Sequence, residues 1–551
     1  MSDSKSLRGD SAPAPKPQQT QEEWWRGAVI YQIYPRSFYD ANNDGIGDLQ
    51  GITEKLDYIK SLNVDAIWLS PFFTSPMKDF GYDVSNYRDV DPIFGNLEDF
   101  KELLKSAHKL DIKVIIDQVL SHTSDHHPWF QESRRNTHNS KADWYVWHEP
   151  RSDGTPPNNW QSVFGGSSWQ WDSRRQQYYL HNFLVSQPDL NFHNPEVQQQ
   201  MLDEMQFWLD LGVDGFRLDT VNYYFHDEEL RNNPGLKQDI RKLFNPYDFQ
   251  RHLYDKNRPE SIDFAKRMRH LVAQYDNRML VGEIGDKHAE KLMQDYTGDG
   301  DKLHTAYSFR LLNKEFGAGY FASVLAQQES LLNDGWPTWA FSNHDITRVA
   351  SRWAEESQNP KALTETLLAL LFCLRGSVCL YQGEELGLPE AELEFEQLQD
   401  PWGITFWPEF KGRDGCRTPM PWQQNKVNAG FSEVSPWLPV AESHYPLAVQ
   451  QQESDSDSSL HFTRHFLAFR KTQQALQKGE IKHIQAQEHQ LSFVRLCKDT
   501  QPLTCWFWLS DETKELKVPD NYTLLRSYNC DYNDDKIIFH GAGFVLLQQD
   551  D

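Results

Sequence analysis

The chain has 551 residues, which is more than one small domain needs and predicts several structural units around at least one large core. Lysine and arginine total 55 against 80 for aspartate and glutamate, and the formal charge of −25 argues against nucleic acid or anionic lipid as a partner. The sequence has no apolar run of about 18 residues, the length that crosses a bilayer, so no membrane association is expected.

The first part of the chain predicts a disordered tail. Residues 1–22 are rich in Pro, Ser and Gln and hold no apolar segment of the kind found in secretory signals. The cysteines lack the paired spacing of a metal site, which fits reduced and mostly buried thiols. Both observations predict a cytoplasmic protein.

Short β-branched or apolar runs alternate with amphipathic helical segments, a pattern typical of βαβ units with a parallel sheet. The runs cover residues 28–33, 66–69, 114–116, 215–218, 279–281, 338–341 and 378–381. Helices are expected at 99–109 and 196–211. About seven strands over about 360 residues favour a closed eight-stranded barrel over an open sheet. The predicted fold class is therefore α/β, with a (β/α)₈ TIM barrel formed by residues 23–120 and 192–474.

Three stretches depart from this alternation. Residues 121–191 are crowded with His, Trp, Asn and Gly and are too long for a simple loop, so they predict a subdomain inserted after the third strand. The acidic stretch 383–400 is expected to be a solvated loop and helix over the barrel mouth. After a helical segment at 461–471, residues 475–551 alternate in the manner of strands and predict a C-terminal antiparallel β domain.

Five motifs follow the predicted strands or the insertion. They are DQVLSH at 117–122, QPDLN at 187–191, DGFRLD at 214–219, VGEI at 281–284 and FSNHD at 341–345. In this order they resemble the motif set of the α-amylase superfamily, glycoside hydrolase family 13. The form QPDLN is similar to the oligo-1,6-glucosidase and α-glucosidase branch of that family. The resemblance extends from Tyr31 to Trp422.

Three carboxylates end different strands within these motifs and are expected to converge, because active sites of (β/α)₈ barrels lie at the C-terminal strand ends. The resemblance implies that Asp219 is the nucleophile and Glu283 the general acid/base of a retaining mechanism, with the carboxyl groups about 5 to 5.5 Å apart. Asp345 would bind sugar hydroxyls and stabilise the transition state. Repulsion from the other two carboxylates is expected to raise the pKa of Glu283. Arg217 lies on the same strand face as Asp219 and would keep it ionised.

The resemblance also implies the residues around a bound glucose. The segment MKDFGYDVSNY places Asp79 and Tyr82 after the second strand, where the family's Tyr stacks on the terminal glucose and its Asp binds the outer hydroxyls. Arg417 in RDGCRTPMPW matches the family arginine that pairs with this Asp. Such a pair would close the pocket, which predicts cleavage from the non-reducing end. The other expected contacts are His122, His344, Phe164 and Phe183, of which the two Phe could instead belong to the core of the insertion.

Thr220, directly after the nucleophile, bears on linkage. In this branch Val at this position is frequent in enzymes that cleave α-1,6 bonds, and a smaller or polar residue in those that prefer α-1,4 bonds. The continuation VNYYFHDEEL is also similar to bacterial α-1,4-glucosidases that transfer glucose readily. We therefore expect an α-glucosidase that acts on maltose and short maltooligosaccharides, needs no organic cofactor and has some transglucosylation activity.

Several other functions remain open. Oligo-1,6-glucosidases, trehalose synthases and sucrose isomerases share all three carboxylates, so only their products separate them from an α-1,4-glucosidase. A non-catalytic relative that binds carbohydrate or accompanies a transporter would need a lost carboxylate or a transmembrane segment, and the sequence shows neither. The oligomeric state is left open.

An oxygen-rich loop, DANNDGIGD at 40–48, follows the first predicted strand. Its alternating polar residues resemble an EF-hand-like site for one structural Ca²⁺ or Mg²⁺, with Gly45 at the sharp turn. The expected ligands are Asp40, Asn42, Asp44, Asp48 and, from the family resemblance, the carbonyl of Ile46. A plain solvated turn is the alternative. Because the loop is remote from the carboxylates, the metal would serve stability and not chemistry.

Overall fold

The centre of the molecule is a barrel of parallel strands. The structure is a computed structural model that describes residues 23–237, 243–286, 289–332, 334–518, 521–533 and 536–550, so the predicted tail at 1–22 lies outside the described residues. The barrel strands are β1 (Val29–Ile33), β2 (Ala66–Leu69), β3 (Lys113–Gln118), β4 (Gly215–Leu218), β5 (Met279–Ile284), β6 (Thr305–Ser308), β7 (Thr338–Trp339) and β8 (Ser377–Tyr381).

The order of the strands closes the sheet on itself. Neighbours run β6-β5-β4-β3-β2-β1-β8-β7, and a parallel bridge between Ala306 and Pro337 joins the two end strands. The hydroxyls of Thr305 and Thr338 lie 2.7 Å apart across this seam. The predicted barrel is thus confirmed. The sequence analysis missed β6, whose four residues TAYS contain no continuous apolar run.

Helices surround the barrel, and Pro360–Cys373 is buried along nearly its whole length. The longer ones are Leu97–Lys109, Pro195–Leu211, Glu260–Val272, Ala289–Thr297, Ala318–Leu331, Pro360–Cys373 and Ser459–Thr472. Shorter helices are Leu49–Glu54, Leu56–Ser61, Pro128–Ser133, Val349–Ala354, Pro401–Phe406, Asp414–Arg417, Val449–Glu453 and Gln474–Lys478. None of the helices in the described ranges is long and apolar enough to span a membrane.

The helix that precedes β4 has clear sequence signals at both ends. Asn194 accepts a hydrogen bond from the backbone N–H of Glu196, and Pro195 occupies the first helical position, where its missing N–H costs nothing. Gly212 ends the helix with φ of +105°, a conformation that residues with a Cβ avoid. Three residues after Gly212, β4 begins and carries the chain to the candidate nucleophile.

Two further sheets flank the barrel. Between β3 and β4 the chain forms a three-stranded antiparallel sheet from Trp147–His148, Trp169–Asp172 and Gln177–Leu180. A short antiparallel pair, Phe73–Thr74 with Asn86–Val90, follows β2. The predicted insertion therefore contains sheet structure, and its exact limits stay a prediction.

The C-terminal part of the chain is an antiparallel sheet, as the sequence predicted. Its strands are β9 (Glu480–Gln487), β10 (Gln490–Leu496), β11 (Leu503–Trp508), β12 (Lys514–Lys517), β13 (Tyr522–Asn533) and β14 (Lys536–Gln549). They are ordered β9-β10-β11-β14-β12, and β13 also pairs with β14. Phe544 of β14 packs against Phe466 of the last long helix, with ring centroids 5.5 Å apart, which joins this sheet to the barrel's outer layer.

Trp208 is a central residue of the core between helices and barrel. It is fully buried, and its ring stacks on Phe73 with centroids 4.9 Å apart. Phe72 and Phe100 meet it edge to face, and its indole N–H donates to the carbonyl of Tyr87 at 2.8 Å. Trp208 therefore buries a large apolar ring while its indole N–H keeps a hydrogen-bond partner.

We predict that Trp208→Ala lowers the midpoint of thermal unfolding, because deletion of a buried aromatic ring costs about 3 to 5 kcal/mol. Differential scanning calorimetry measures the change. The matched control is Trp171→Ala, since Trp171 is 38% exposed and its loss should leave the midpoint nearly unchanged. Equal midpoints for both variants would contradict the assigned role of Trp208.

Candidate active site

Three carboxylates from different strand ends line one cavity of about 260 Å³. Asp219 directly follows β4, Glu283 is the fifth residue of β5, and Asp345 lies in the loop after β7. Parallel strands of a barrel present their C-terminal ends on one face, which brings together residues that are distant in sequence. The structure thus places the predicted trio around a single space.

Arg217 lies beneath the cavity and contacts Asp219, Glu283 and a further acid, Asp117. Its Nη1 lies 2.9 Å from Asp117 Oδ1 and 2.7 Å from Asp219 Oδ1. Its Nη2 lies 2.7 Å from Glu283 Oε2. The guanidinium is buried, and the acids around it raise its pKa well above the usual value although burial opposes this. One fixed positive charge therefore faces three carboxyl groups, which it cannot fully compensate.

The pKa values of the two central acids are raised to different extents. Burial raises the pKa of Asp219 to about 6, with Arg217 opposing the rise. Burial raises the pKa of Glu283 to about 8; Arg217 opposes this rise as well, and Asp219 and Asp345 add to it. The sequence analysis expected the direction for Glu283 but named repulsion as its cause, whereas burial is the larger one. Near neutral pH the pair therefore holds an ionised Asp219 beside a protonated Glu283.

Asp345 behaves in the opposite way. Burial by itself would raise its pKa, but His344, Arg413 and Arg417 together hold it below the usual range of an aspartate. Its Oδ1 lies 2.8 Å from Arg417 Nη2 and 3.3 Å from Arg413 Nη1. Asp345 is therefore ionised throughout the pH range in which Asp219 is ionised and Glu283 is protonated.

Thr220 contacts both central acids. Its backbone N–H donates to Glu283 Oε2 at 3.2 Å, and its hydroxyl donates to Asp219 Oδ2 at 3.2 Å. Its φ is +41°, a left-handed conformation that is unusual for a β-branched residue. Such strain is found where surrounding contacts over-determine the backbone, as they do here.

The arginine that pairs with Asp79 is Arg413, and the expected pairing with Arg417 is wrong. Arg413 Nη2 lies 2.8 Å from Asp79 Oδ1 and 2.8 Å from Asp400 Oδ1. Arg417, four residues further, turns to Asp345 and donates from Nε to the carbonyl of His344 at 2.6 Å. Both arginines contact Asp345, but only Arg413 also pairs with Asp79 and Asp400.

Asp400 also corrects the expectation for the acidic stretch 383–400. Its side chain is fully buried, and so are those of Glu384 and Glu385. Glu385 Oε1 accepts hydrogen bonds from the hydroxyls of Tyr31 and Tyr58 at 2.7 and 2.6 Å. Glu384 Oε2 accepts from the backbone N–H of Tyr381 at 3.1 Å, so this stretch lies partly inside the protein and is not simply solvated.

Tyr82, His122 and His344 lie on one side of the cavity. The rings of Tyr82 and His344 are parallel, with centroids 5.4 Å apart, and the Tyr82 hydroxyl lies 2.6 Å from His344 Nε2. Burial lowers the pKa of His122 to about 4 and that of His344 to about 3, so both imidazoles are neutral. Tyr82 and His122 line the cavity, whereas His344 lies behind Tyr82 and orients it.

Aromatic rings form a further part of the cavity wall. Phe164 and Phe183 line the cavity, as expected for sugar-facing residues. Phe164 contacts Trp402 with centroids 5.4 Å apart, and Phe183 contacts Tyr223 at 5.5 Å. Arg217 and Arg417, which were expected to bind substrate, are almost fully buried and support residues of the lining instead.

Sequence reasoning missed several lining residues, namely Gln187, Tyr223, Trp402 and Arg413. Gln187 donates to Asp79 Oδ2 at 3.0 Å. Gln187 and Arg413 lie within QPDLN and RDGCRTPMPW, so those motifs contained a usable signal. Trp402 follows the acidic stretch, and nothing in the local sequence marks it.

The loop at 40–48 forms a network of turns. Asp40 Oδ2 accepts from the N–H of Gly45 at 2.8 Å, and Asp48 Oδ1 accepts from the N–H of Gly51 at 2.6 Å. Asn42 and Asp44 are exposed and accept from backbone N–H groups within the loop. Within the described ranges no group of three or more His, Cys, Asp or Glu side chains is close enough to hold a metal ion. The structure therefore does not show the expected metal site.

Comparisons with known proteins agree with this geometry. The family model of the α-amylase catalytic domain matches residues 32–479. A probable α-glucosidase of Rhizobium meliloti (strain 1021) is 56% identical over 505 residues, which cover 90% of this chain and 91% of the relative. An oligo-1,6-glucosidase of Heyndrickxia coagulans is 37% identical over 544 residues, covering 91% and 95%.

A solved structure extends the similarity to three dimensions. The crystal structure of an α-glucosyl transfer enzyme matches with a TM-score of 0.93 and 52% identity, covering 96% of this chain and all of the other. The barrel, the carboxylates at its strand ends and the family match over most of the chain point the same way. The chain belongs to the α-amylase family of glycoside hydrolases.

Proposed function

We propose that the protein is a retaining, exo-acting α-glucosidase that releases glucose from maltose and short maltooligosaccharides. The observation that carries the proposal is the pair of Asp219 and Glu283, joined through one guanidinium and set to opposite protonation states in one small cavity. A cytoplasmic location is part of the proposal; the six free cysteines support it, and cell fractionation would check it.

The geometry supports a two-step mechanism. In the first step the carboxylate of Asp219 attacks the anomeric carbon while Glu283 gives its proton to the glycosidic oxygen, which leaves a glucosyl ester on Asp219. In the second step Glu283, now ionised, takes a proton from water, whose oxygen displaces Asp219. A sugar hydroxyl in place of water gives transglucosylation through the same intermediate. Asp345, held ionised by two arginines, favours the positive charge that develops on the sugar ring.

The proposed exo action depends on Asp79, Arg413 and Asp400. All three are buried, and together they close the cavity with an ion-paired cluster. A charged cluster of this kind offers several hydrogen-bonding groups to the outer hydroxyls of one glucose. The cavity volume of about 260 Å³ is near the lower end of small-molecule pockets, which favours a single sugar ring at this end.

The α-1,4 preference depends on Thr220. Its hydroxyl faces Asp219 and so adds a polar group beside the bond that is cleaved. The 56% identity to a probable α-glucosidase, against 37% to an oligo-1,6-glucosidase, points in the same direction. Oligo-1,6-glucosidase activity is the second candidate, because that relative spans nearly the whole chain.

The experiment that tests the function is to incubate the protein separately with maltose, isomaltose, trehalose and sucrose and to identify the products. We expect faster glucose release from maltose than from isomaltose, with α-glucose as the first anomer in proton NMR. Asp219→Ala is the control and should lose activity by a factor of at least ~10³, since the covalent step is removed. Faster turnover of isomaltose than of maltose would contradict the α-1,4 assignment. Conversion of sucrose into another disaccharide would favour an isomerase.

The pH dependence of activity follows from the two acids. Asp219 must be ionised, so kcat/KM should rise as the pH passes its pKa of about 6. Glu283 must be protonated, so kcat/KM should fall as the pH passes its pKa of about 8. We predict a bell-shaped profile of kcat/KM for maltose between these limits. A profile that keeps rising above the upper limit would contradict the role of Glu283 as the acid.

We further propose that the loop at 40–48 binds one Ca²⁺ or Mg²⁺ ion that stabilises the fold. Asp40 and Asp48 are buried, and the ion pairs found in the described part of the chain include neither of them. Buried carboxylates without a basic partner are the oxygen donors that such hard cations take.

The expected result for the loop is a higher unfolding midpoint with millimolar Ca²⁺ or Mg²⁺ than with EDTA, measured by differential scanning fluorimetry. Asn42→Ala with Asp44→Ala should abolish the difference, because these exposed side chains supply two of the oxygens. Identical midpoints with cation and with EDTA would show that the hydrogen-bonded turn is sufficient by itself.

A further inference from the structure

Tyr307 of β6 lies beside the acid/base and is not used by the mechanism above. We infer that it is a positioning residue that fixes the carboxyl group of Glu283 and favours its ionised form; the inference rests on the proposed function. The Tyr307 hydroxyl lies 3.1 Å from Glu283 Oε1.

The barrel sets this contact through strand register. Strands β5 and β6 are parallel neighbours, and Glu283 is paired directly with Tyr307. Residues paired in this way project to the same side of a sheet, so both side chains enter the barrel interior. Tyr307 is 2% exposed, and its ring packs against Trp68 with centroids 6.2 Å apart. The hydroxyl therefore cannot turn away to water.

The direction of the hydrogen bond follows from Arg217. Its Nε and Nη2 lie 3.2 and 2.8 Å from the Tyr307 oxygen. A guanidinium only donates, so the phenol oxygen accepts both of these bonds. Its single hydrogen is then left to donate to Glu283 Oε1. Burial raises the pKa of Tyr307 well above the usual value, which keeps that hydrogen in place.

The bond acts differently on the two states of Glu283. A donated hydrogen bond is stronger when its acceptor is charged, so Tyr307 stabilises the carboxylate that remains once the proton has moved to the leaving oxygen. Meanwhile Oε2 is held by Arg217 at 2.7 Å and by the N–H of Thr220 at 3.2 Å. With both oxygens held, the carboxyl plane is fixed throughout the two steps.

The test compares Tyr307→Phe with the intact enzyme on maltose and on 4-nitrophenyl α-glucoside. The alkaline limb of the pH profile is set by Glu283. The groups that face Glu283 are Arg217, Asp219 and Thr220 from β4 and its loop, Asp345 after β7, and Asp117 of β3. The substitution leaves all of these groups in place and removes only the phenol oxygen, which accepts from Arg217 and donates to Glu283. The matched control is Tyr179→Phe, which also deletes a buried hydroxyl, bonded to the carbonyl of Val185 in the insertion.

We expect Tyr307→Phe to move the alkaline limb up by about 1 pH unit, because a hydrogen bond to a charged group is lost. For maltose kcat/KM should fall by about tenfold, whereas for the aryl glucoside, whose leaving group needs little protonation, the loss should stay below about threefold. A merely structural role would lower kcat/KM equally for both substrates and leave the alkaline limb of the pH profile unchanged. That result would overturn the inference. Tyr179→Phe should change neither the limb nor the ratio of the substrates.

A second substitution keeps the test decisive if Tyr307→Phe does not fold. Site-specific replacement of Tyr307 by 3-fluorotyrosine retains the shape and makes the hydroxyl a stronger donor, so the alkaline limb should move to lower pH. An unchanged or upward-shifted limb would overturn the inference. If the unaltered enzyme cleaves neither substrate, both the proposed function and the role of Tyr307 are contradicted. If the unaltered enzyme cleaves both substrates and the variants match it in every measurement, only the role of Tyr307 is contradicted.

Discussion

The arrangement of the catalytic face depends on one buried guanidinium. Arg217 contacts Asp117, Asp219 and Glu283, and all three of these acids are buried. A single positive charge among three acids makes full ionisation costly, so one proton is retained. The retained proton resides on Glu283, where burial has the larger effect and Asp219 and Asp345 add to it. In the proposed mechanism this charge imbalance separates the role of Asp219 as nucleophile from that of Glu283 as general acid/base.

The opposite end of the cavity follows the reverse principle. Arg413 and Arg417 together surround Asp345, and Arg413 also meets Asp79 and Asp400. Here two arginines face three acids; burial would raise the pKa of Asp345, but His344, Arg413 and Arg417 hold it below its usual range. One end of the cavity therefore holds the protonated Glu283 beside Arg217. The other end holds the ionised Asp345 beside Arg413 and Arg417.

Much of this architecture could be predicted from sequence, and the failures have identifiable causes. Strands with apolar runs such as Gly215–Leu218 were visible, and so were the acids that end them. Strand Thr305–Ser308 was not, because its sequence TAYS contains no continuous apolar run. Sequence spacing could not tell which arginine reaches Asp79, since Arg413 and Arg417 lie in one turn. The burial of Asp400 depends on Arg413, and the oxygen-rich loop is satisfied by its own backbone, neither of which composition reveals.

The closure of the barrel places its shortest strand contact next to the site. The end strands meet through one backbone bridge between Ala306 and Pro337 and one hydroxyl pair, whereas the other strand pairs share longer ladders. This seam adjoins the strand of Tyr307, and Glu283 is on the next strand. The seam strand β6 is therefore the direct neighbour of β5, which carries Glu283, and lies two strands from β4, which leads to Asp219.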